Sequence, residues 1–133
     1  MNARNQLPEL AVESYLIPSA DAGIELYVRN KRPAGMTTFT ADKILLYVHG
    51  ATYPSETAFD LPIEGASMMD LIAARGYDVY LVDIRGYGRS TRPPEMSQPP
   101  EANQPIVSTE IAVRDFGMAV DHVRKRRGMQ AAG

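Results

Sequence analysis

Two short phrases place polar side chains and glycine where an apolar run breaks off. His49-Gly50-Ala51-Thr52 follows the run Ile44 to Val48, and Asp83-Ile84-Arg85-Gly86-Tyr87-Gly88-Arg89-Ser90 closes the run that begins at Asp78. Imidazole, carboxylate, guanidinium and hydroxyl groups can hold protons and anions, and glycine lets a main chain bring its own amides to a ligand. Elsewhere the chain offers little chemistry. His49 and His122 lack the H-x-x-x-H spacing of a metal pair, so no metal is expected. With no cysteine there is no thiolate ligand, no disulfide and no sulfur nucleophile. Gly86-x-Gly88 approaches the dinucleotide fingerprint G-x-G-x-x-G, but its third glycine is Thr91. Arg92-Pro93-Pro94 then stands where a phosphate-binding helix would begin, so no nucleotide cofactor is implied.

The elements around these phrases bring them together. Ile44 to Val48 is apolar without interruption, as expected of a strand buried on both faces, and Asp78 to Asp83 has the same character. Two central parallel strands follow, and parallel strands need a crossover. The crossover is a helix from about Ile63 to Arg75, with Met68, Leu71 and Ile72 at helical spacing and Gly76 as its stop. A second helix runs from about Ser108 to Arg127 and carries His122. Its stripe is Ala112, Phe116, Ala119, Val120 and Val123, and Gly128 ends it. Glu110 in its first turn and Arg124 to Arg127 in its last suit the helix dipole, so that basic run needs no ligand. Upstream, Glu13 to Pro18 and Ile24 to Asn30 alternate around a turn at Ser19 to Gly23, which predicts an antiparallel hairpin. Residues 31 to 42 read as a loop. Thr91 to Pro105 holds half of the ten prolines and must be an extended excursion. Ligands of open α/β sheets sit beyond the carboxyl ends of the strands, which puts the turns at His49 and Asp83 on one rim.

Composition sets the outer limits. The 133 residues suit one domain, and a net charge of -2 gives no basic field for nucleic acid. No run approaches the roughly 20 apolar residues that cross a membrane. The first ten residues lack the apolar core of a secretory signal, so cytoplasmic residence is expected.

In this order, hairpin, strand, His-Gly turn, helix, strand and D-x-R-G-x-G-x-S turn resemble the first part of an α/β-hydrolase, over about residues 13 to 128. The resemblance implies an α/β protein with a partial α/β-hydrolase fold: an N-terminal β-hairpin followed by parallel strands with two flanking helices. It places the oxyanion hole at His49, Gly50, Ala51 and Thr52, where the amide of Ala51 or Thr52 would receive the negative oxygen of a tetrahedral intermediate. Gly50 would let the main chain turn inward. Such donors must sit ~2.7 to 3.1 Å from the oxyanion, and an amide needs no particular side chain, so Ala51 fits. Relatives that cleave carbon-halogen bonds tend to have Asn there, which speaks against a dehalogenase. Asp83, Arg85, Gly86, Gly88 and Ser90 fill a turn that in the family is mainly architectural and lies near the site.

The nucleophile elbow G-x-S-x-G has no match. Gly65-Ala66-Ser67 and Gly88-Arg89-Ser90 each supply only its first half, and an aspartate elbow is equally absent. Met129 to Gly133 is too short for a further strand and elbow, so no catalytic residue is assigned. The expectation is the N-terminal part of a hydrolase for an ester-type or related small molecule, inactive alone and needing no cofactor. The alternative is a non-catalytic module or truncated gene product that associates with a second chain or copy. It would use the sheet edge expected at Asp78 to Asp83. Tyr53, Phe59, Met68 and Met69 could line an acyl pocket, although helical spacing favours packing against the sheet.

Overall fold

The computed structural model describes residues 7–50, 53–102 and 107–128, so Ala51 and Thr52 lie outside the described residues. In chain order the elements are β1 (Leu10–Pro18), β2 (Glu25–Pro33), β3 (Ile44–Val48), α1 (Ser55–Phe59), α2 (Met68–Ala74), β4 (Asp78–Val82) and α3 (Thr109–Arg126). Both apolar strands and the long helix fall where the residue pattern puts them, while the hairpin is longer than expected: β1 starts at Leu10 and β2 runs on to Pro33, into the expected loop. None of the helices described is long and apolar enough to cross a membrane.

The strands form one mixed sheet in the order β1-β2-β4-β3. β1 and β2 pair antiparallel from Leu10↔Pro33 to Pro18↔Glu25. β4 enters between β2, which it meets antiparallel with Val28 opposite Val82, and β3, which it meets parallel from Ile44↔Asp78 to Val48↔Val82. Two sequence expectations change as a result. Every residue of β4 is buried, but β3 is only partly so, and Leu45 is 37% exposed. Among the described residues the edge strands are β1 and β3, and the expectation of an open edge at Asp78 to Asp83 is corrected, because β4 is paired on one side with β2 and on the other with β3. An apolar run reports burial between layers but does not say how many strands lie beside it.

Side chains alternate across the sheet with a period of two. Tyr80 and Val82 join Leu26, Val28, Ala119 and Val123 under α3, whereas Val79 and Leu81 join Tyr27, Phe59, Met69 and Ala73 under α1 and α2. Full burial of one such aliphatic side chain is worth about 1.5–3 kcal/mol.

α2 begins at Met68 rather than near Ile63. Ser67 accepts the Asp70 N–H while the Asp70 carboxylate accepts the Ser67 N–H, a reciprocal cap that fixes the first turn. α1 is a helix the sequence pattern does not announce, since five residues are too few to show a period. A buried ion cluster binds this layer to the sheet: Lys31 Nζ lies 2.7 Å from Asp60 and 2.6 Å from Asp70, and Arg29 lies 2.7 Å from Asp60. At the far end of α3 the dipole is only part of the story. Arg126 reaches Glu13 at 2.6 Å and Arg127 reaches Asp78 at 2.7 Å, so half of the basic run turns inward as a clamp.

Candidate functional site

The turn after β4 is built from interlocking polar contacts. Asp83 donates its N–H to the Tyr27 carbonyl at 3.1 Å, and its own carbonyl accepts the Ser90 hydroxyl at 2.5 Å. That hydroxyl also accepts the Tyr27 N–H at 2.7 Å, while Thr91 exchanges two bonds with Glu25. Ser90 and Thr91 thus stitch the turn onto the start of β2. The Asp83 carboxylate accepts the Ser55 N–H at 2.8 Å, holding the first turn of α1. Burial raises the Asp83 pKa, and the amides of Ser55 and Arg89 offset this only in part.

The glycines of this turn have separate reasons. Gly88 has φ +50°, and a Cβ there would lie 2.2 Å from the Asp83 Oδ2. No larger residue fits without moving a buried carboxylate. Gly86 has φ +86°, and its added Cβ would meet the Met96 Sδ at 2.7 Å. Arg85 points the other way, toward α3. Its Nε and Nη2 donate to the two oxygens of Asp115 at 3.0 and 2.7 Å, its backbone N–H adds a bond at 3.1 Å, and Asp21 lies 2.7 Å from Nη2. Burial opposes the charge on Asp115, but the hydrogen bonds from Arg85 and Ser19 outweigh it and hold its pKa below the ordinary 3.8.

The turn after β3 is held more lightly. His49 Nδ1 lies 2.6 Å from the Gly50 carbonyl oxygen, and His49 Nε2 accepts the Ile84 N–H at 3.1 Å. Its ring lies 4.3 Å from that of Tyr87, tilted by 41°. The side chain of His49 therefore links the two turns. Gly50 is not among the positive-φ glycines, and nothing lies within 4 Å of an added Cβ. Ala51 and Thr52, which carry the expected oxyanion amides, are among the residues not described.

A cavity of about 440 Å³ opens beside Gly50. Val48, Ile84 and Tyr87 form its rim side, and Ala112, Val113 and Phe116 of α3 form its far wall. None of Tyr53, Phe59, Met68 and Met69 lines it. Phe59 and Met69 are buried under the sheet, whereas Tyr53 and Met68 are 63% and 59% exposed. Ala112 and Phe116 belong to the stripe that the sequence reads as core, so the sequence does not set this cavity apart. A second cavity of about 370 Å³ lies between α1 and the β4 turn and includes Glu56, Asp83 and Arg89. His122 stands apart, its Nε2 2.7 Å from the Tyr15 hydroxyl, and burial first and then Arg126 lower its pKa. Ser67, half of one imperfect elbow, caps α2 and donates to Asp60 at 2.6 Å.

No protein-family model matches the sequence, and no curated protein matches it. Solved structures do. A brefeldin A esterase described as a bacterial homologue of human hormone sensitive lipase is 21% identical, with a TM-score of 0.54 over 90% of this chain and 28% of its own. The esterase Est22 is 18% identical, with a TM-score of 0.56 over 92% of this chain and 32% of its own. An α-amino acid ester hydrolase is 20% identical, with a TM-score of 0.53 over 96% of this chain and 21% of its own. The chain spans a third or less of the length of each. The likeness is one of fold, and the mixed sheet with helices on both faces is a partial α/β-hydrolase fold.

Proposed function

We propose that these 133 residues form the N-terminal, oxyanion-binding part of a hydrolase acting on an ester-type or related small molecule. The observation that carries this reading is the contact between the two turns, where the Ile84 N–H meets His49 Nε2 at 3.1 Å. It supports a single rim on which His49 and Gly50 border the cavity lined by Val48, Tyr87 and Phe116. In this reading the apolar part of the acyl group lies in that cavity. A nucleophile adds to the ester carbon, the carbonyl π electrons move to oxygen, and the Ala51 or Thr52 amide receives the negative charge. Asp83, Arg85, Gly86, Gly88 and Ser90 act as scaffold, holding the rim without touching substrate.

The nucleophile, acid and base come from residues other than these, because the sequence holds no G-x-S-x-G and neither histidine bonds a serine among the contacts described. The chain alone is inactive, works in the cytoplasm, and needs no cofactor, nucleic acid or membrane. The test is to incubate the purified chain with an activated ester and a serine-directed fluorophosphonate. No labelling and no turnover are expected, and specific labelling of one serine with turnover overturns the reading. A coding frame beyond codon 133 that supplies a short apolar strand closing in G-x-S-x-G would support it.

A second reading rests on the β3 edge. The chain is then a non-catalytic module, or a truncated gene product, that binds another chain or a second copy through β3, where Leu45 is exposed and the sheet ends among the described residues. Sedimentation decides this one: a well-behaved monomer with a sharp unfolding transition argues against it.

A further inference from the structure

Of the two strands that end the sheet among the described residues, β1 is the longer, with nine residues against the five of β3. Its ladder to β2 shows which of its backbone groups face outward. Glu9 accepts the Ala34 N–H at 3.0 Å and Ser19 donates to the Ile24 carbonyl at 2.8 Å, and the register between them runs without a break from Leu10↔Pro33 to Pro18↔Glu25. Bonded positions alternate along an antiparallel strand, so the odd-numbered residues of β1 bond to β2. The even-numbered residues, Val12, Ser14 and Leu16 among them, turn their N–H and C=O away from the sheet. Such a row is a template for another strand.

The side chains indicate which strand fits. Val12 and Leu16 are 44% and 49% exposed and share one face with Ser14 between them. A second copy laid antiparallel about a twofold axis at Ser14 sets Ser14 opposite Ser14 and each Val12 opposite Leu16 of the other copy. All of these are outward-bonding positions, and the exposed apolar groups cover one another. On the other face the same register sets Glu13 opposite Tyr15 of the second copy, whose hydroxyl accepts a bond from Arg126 at 2.6 Å. Each acid then meets a phenol that carries a guanidinium. Moving the axis one residue, to Glu13, would instead set two carboxylates face to face, which is unfavourable. We propose that β1 is a self-pairing edge through which two copies of this chain join antiparallel across Ser14, continuing one sheet through a dimer of twofold symmetry. The interface uses a different edge from the β3 reading above and does not depend on the hydrolase reading.

Charge exchange across the seam tests both the edge and the register. One double variant carries Val12→Lys with Leu16→Lys, and the other carries Val12→Glu with Leu16→Glu. Both positions are exposed, so the dilute variants should unfold at the temperature of the parent. Sedimentation of the full chain between about 1 and 100 µM should show monomer passing to dimer, since a seam of two strands is a small interface. Each double variant alone should associate at least about tenfold more weakly, because like charges then stand opposite at both pairs. An equimolar mixture of the two should regain the dimer. Leu45→Lys, on the β3 edge, should associate like the parent. A parent that stays monomeric over this range, double variants that dimerise as well as the parent, or a mixture that stays monomeric overturns the proposal. Loss of the dimer in Leu45→Lys moves the interface to β3 and overturns it equally.

Discussion

The two turns on the rim are built in opposite ways. The turn from Asp83 to Thr91 is tied to β2 through Ser90 and Thr91, to α1 through Asp83, and to α3 through Arg85. Among the described residues, the turn at His49-Gly50 meets its neighbour through the His49 imidazole, and Gly50 has open space around an added Cβ. Their strands explain the contrast. β4 has a partner on each side and a helix on each face, whereas β3 has one partner and a free edge. A turn that saturates its own polar groups when buried is held in one arrangement.

The sharpest way to break the contrast is Arg85→Ala. It strands the Asp115 carboxylate, fully buried, without its guanidinium, and losing one partner of a buried pair costs about 3–5 kcal/mol. Chemical denaturation should show a loss of this size, and a loss below about 1 kcal/mol would mean that the turn does not depend on α3. Gly88→Ala comes next. Left-handed strain of about 1–2 kcal/mol adds to a Cβ that meets Asp83, so a total near 3 kcal/mol is expected by thermal or urea unfolding.

Acid should distinguish the carboxylates. Asp115 and Asp78 are held below the ordinary 3.8, each despite burial, the first mainly by Arg85 and the second by Arg127. A depressed native pKa contributes stability that is present above 3.8 and is lost as pH falls through the native value. Asp83, raised by burial, runs the other way: its charge costs stability as pH rises above 3.8. In unfolding curves measured from pH 6 downward, Asp115→Asn should therefore flatten the acid loss and Asp83→Asn should steepen it. The same slope in both variants would remove the distinction. The smallest effect belongs to Gly50→Ala. With no positive φ and no neighbour for its Cβ, it should stay within about 0.5 kcal/mol of the parent. A cost as large as that of Gly88→Ala would mean that the β3 turn is as tightly built as the other.

Local pattern reached most of the elements. Ile44 to Val48 and Asp78 to Val82 announced themselves by apolar continuity, and α3 by its stripe and its ends. The insertion of β4 between β2 and β3 was not legible, because strand order is decided by pairings between distant segments, and the free edge was assigned to the wrong strand in consequence. Lys31, Asp60 and Asp70 were silent for the same reason, since nothing in their spacing says that they meet. At the rim, the His-Gly and Asp-to-Ser phrases fall on neighbouring turns joined by His49. The cavity wall on α3 was hidden within a stripe that reads equally well as core.

The placement of β4 also sets an order of events during synthesis. β3 leaves the ribosome well before β4, and at ~5–20 residues per second that interval lasts seconds. Throughout it β3 has no native strand to pair with, because β2, its predecessor in sequence, is not its neighbour in the sheet. β3 can take its native place in the sheet only once β4 has arrived to bridge it to β2. Until then the nascent chain holds two unjoined pieces, and β4 is the segment that makes them one fold.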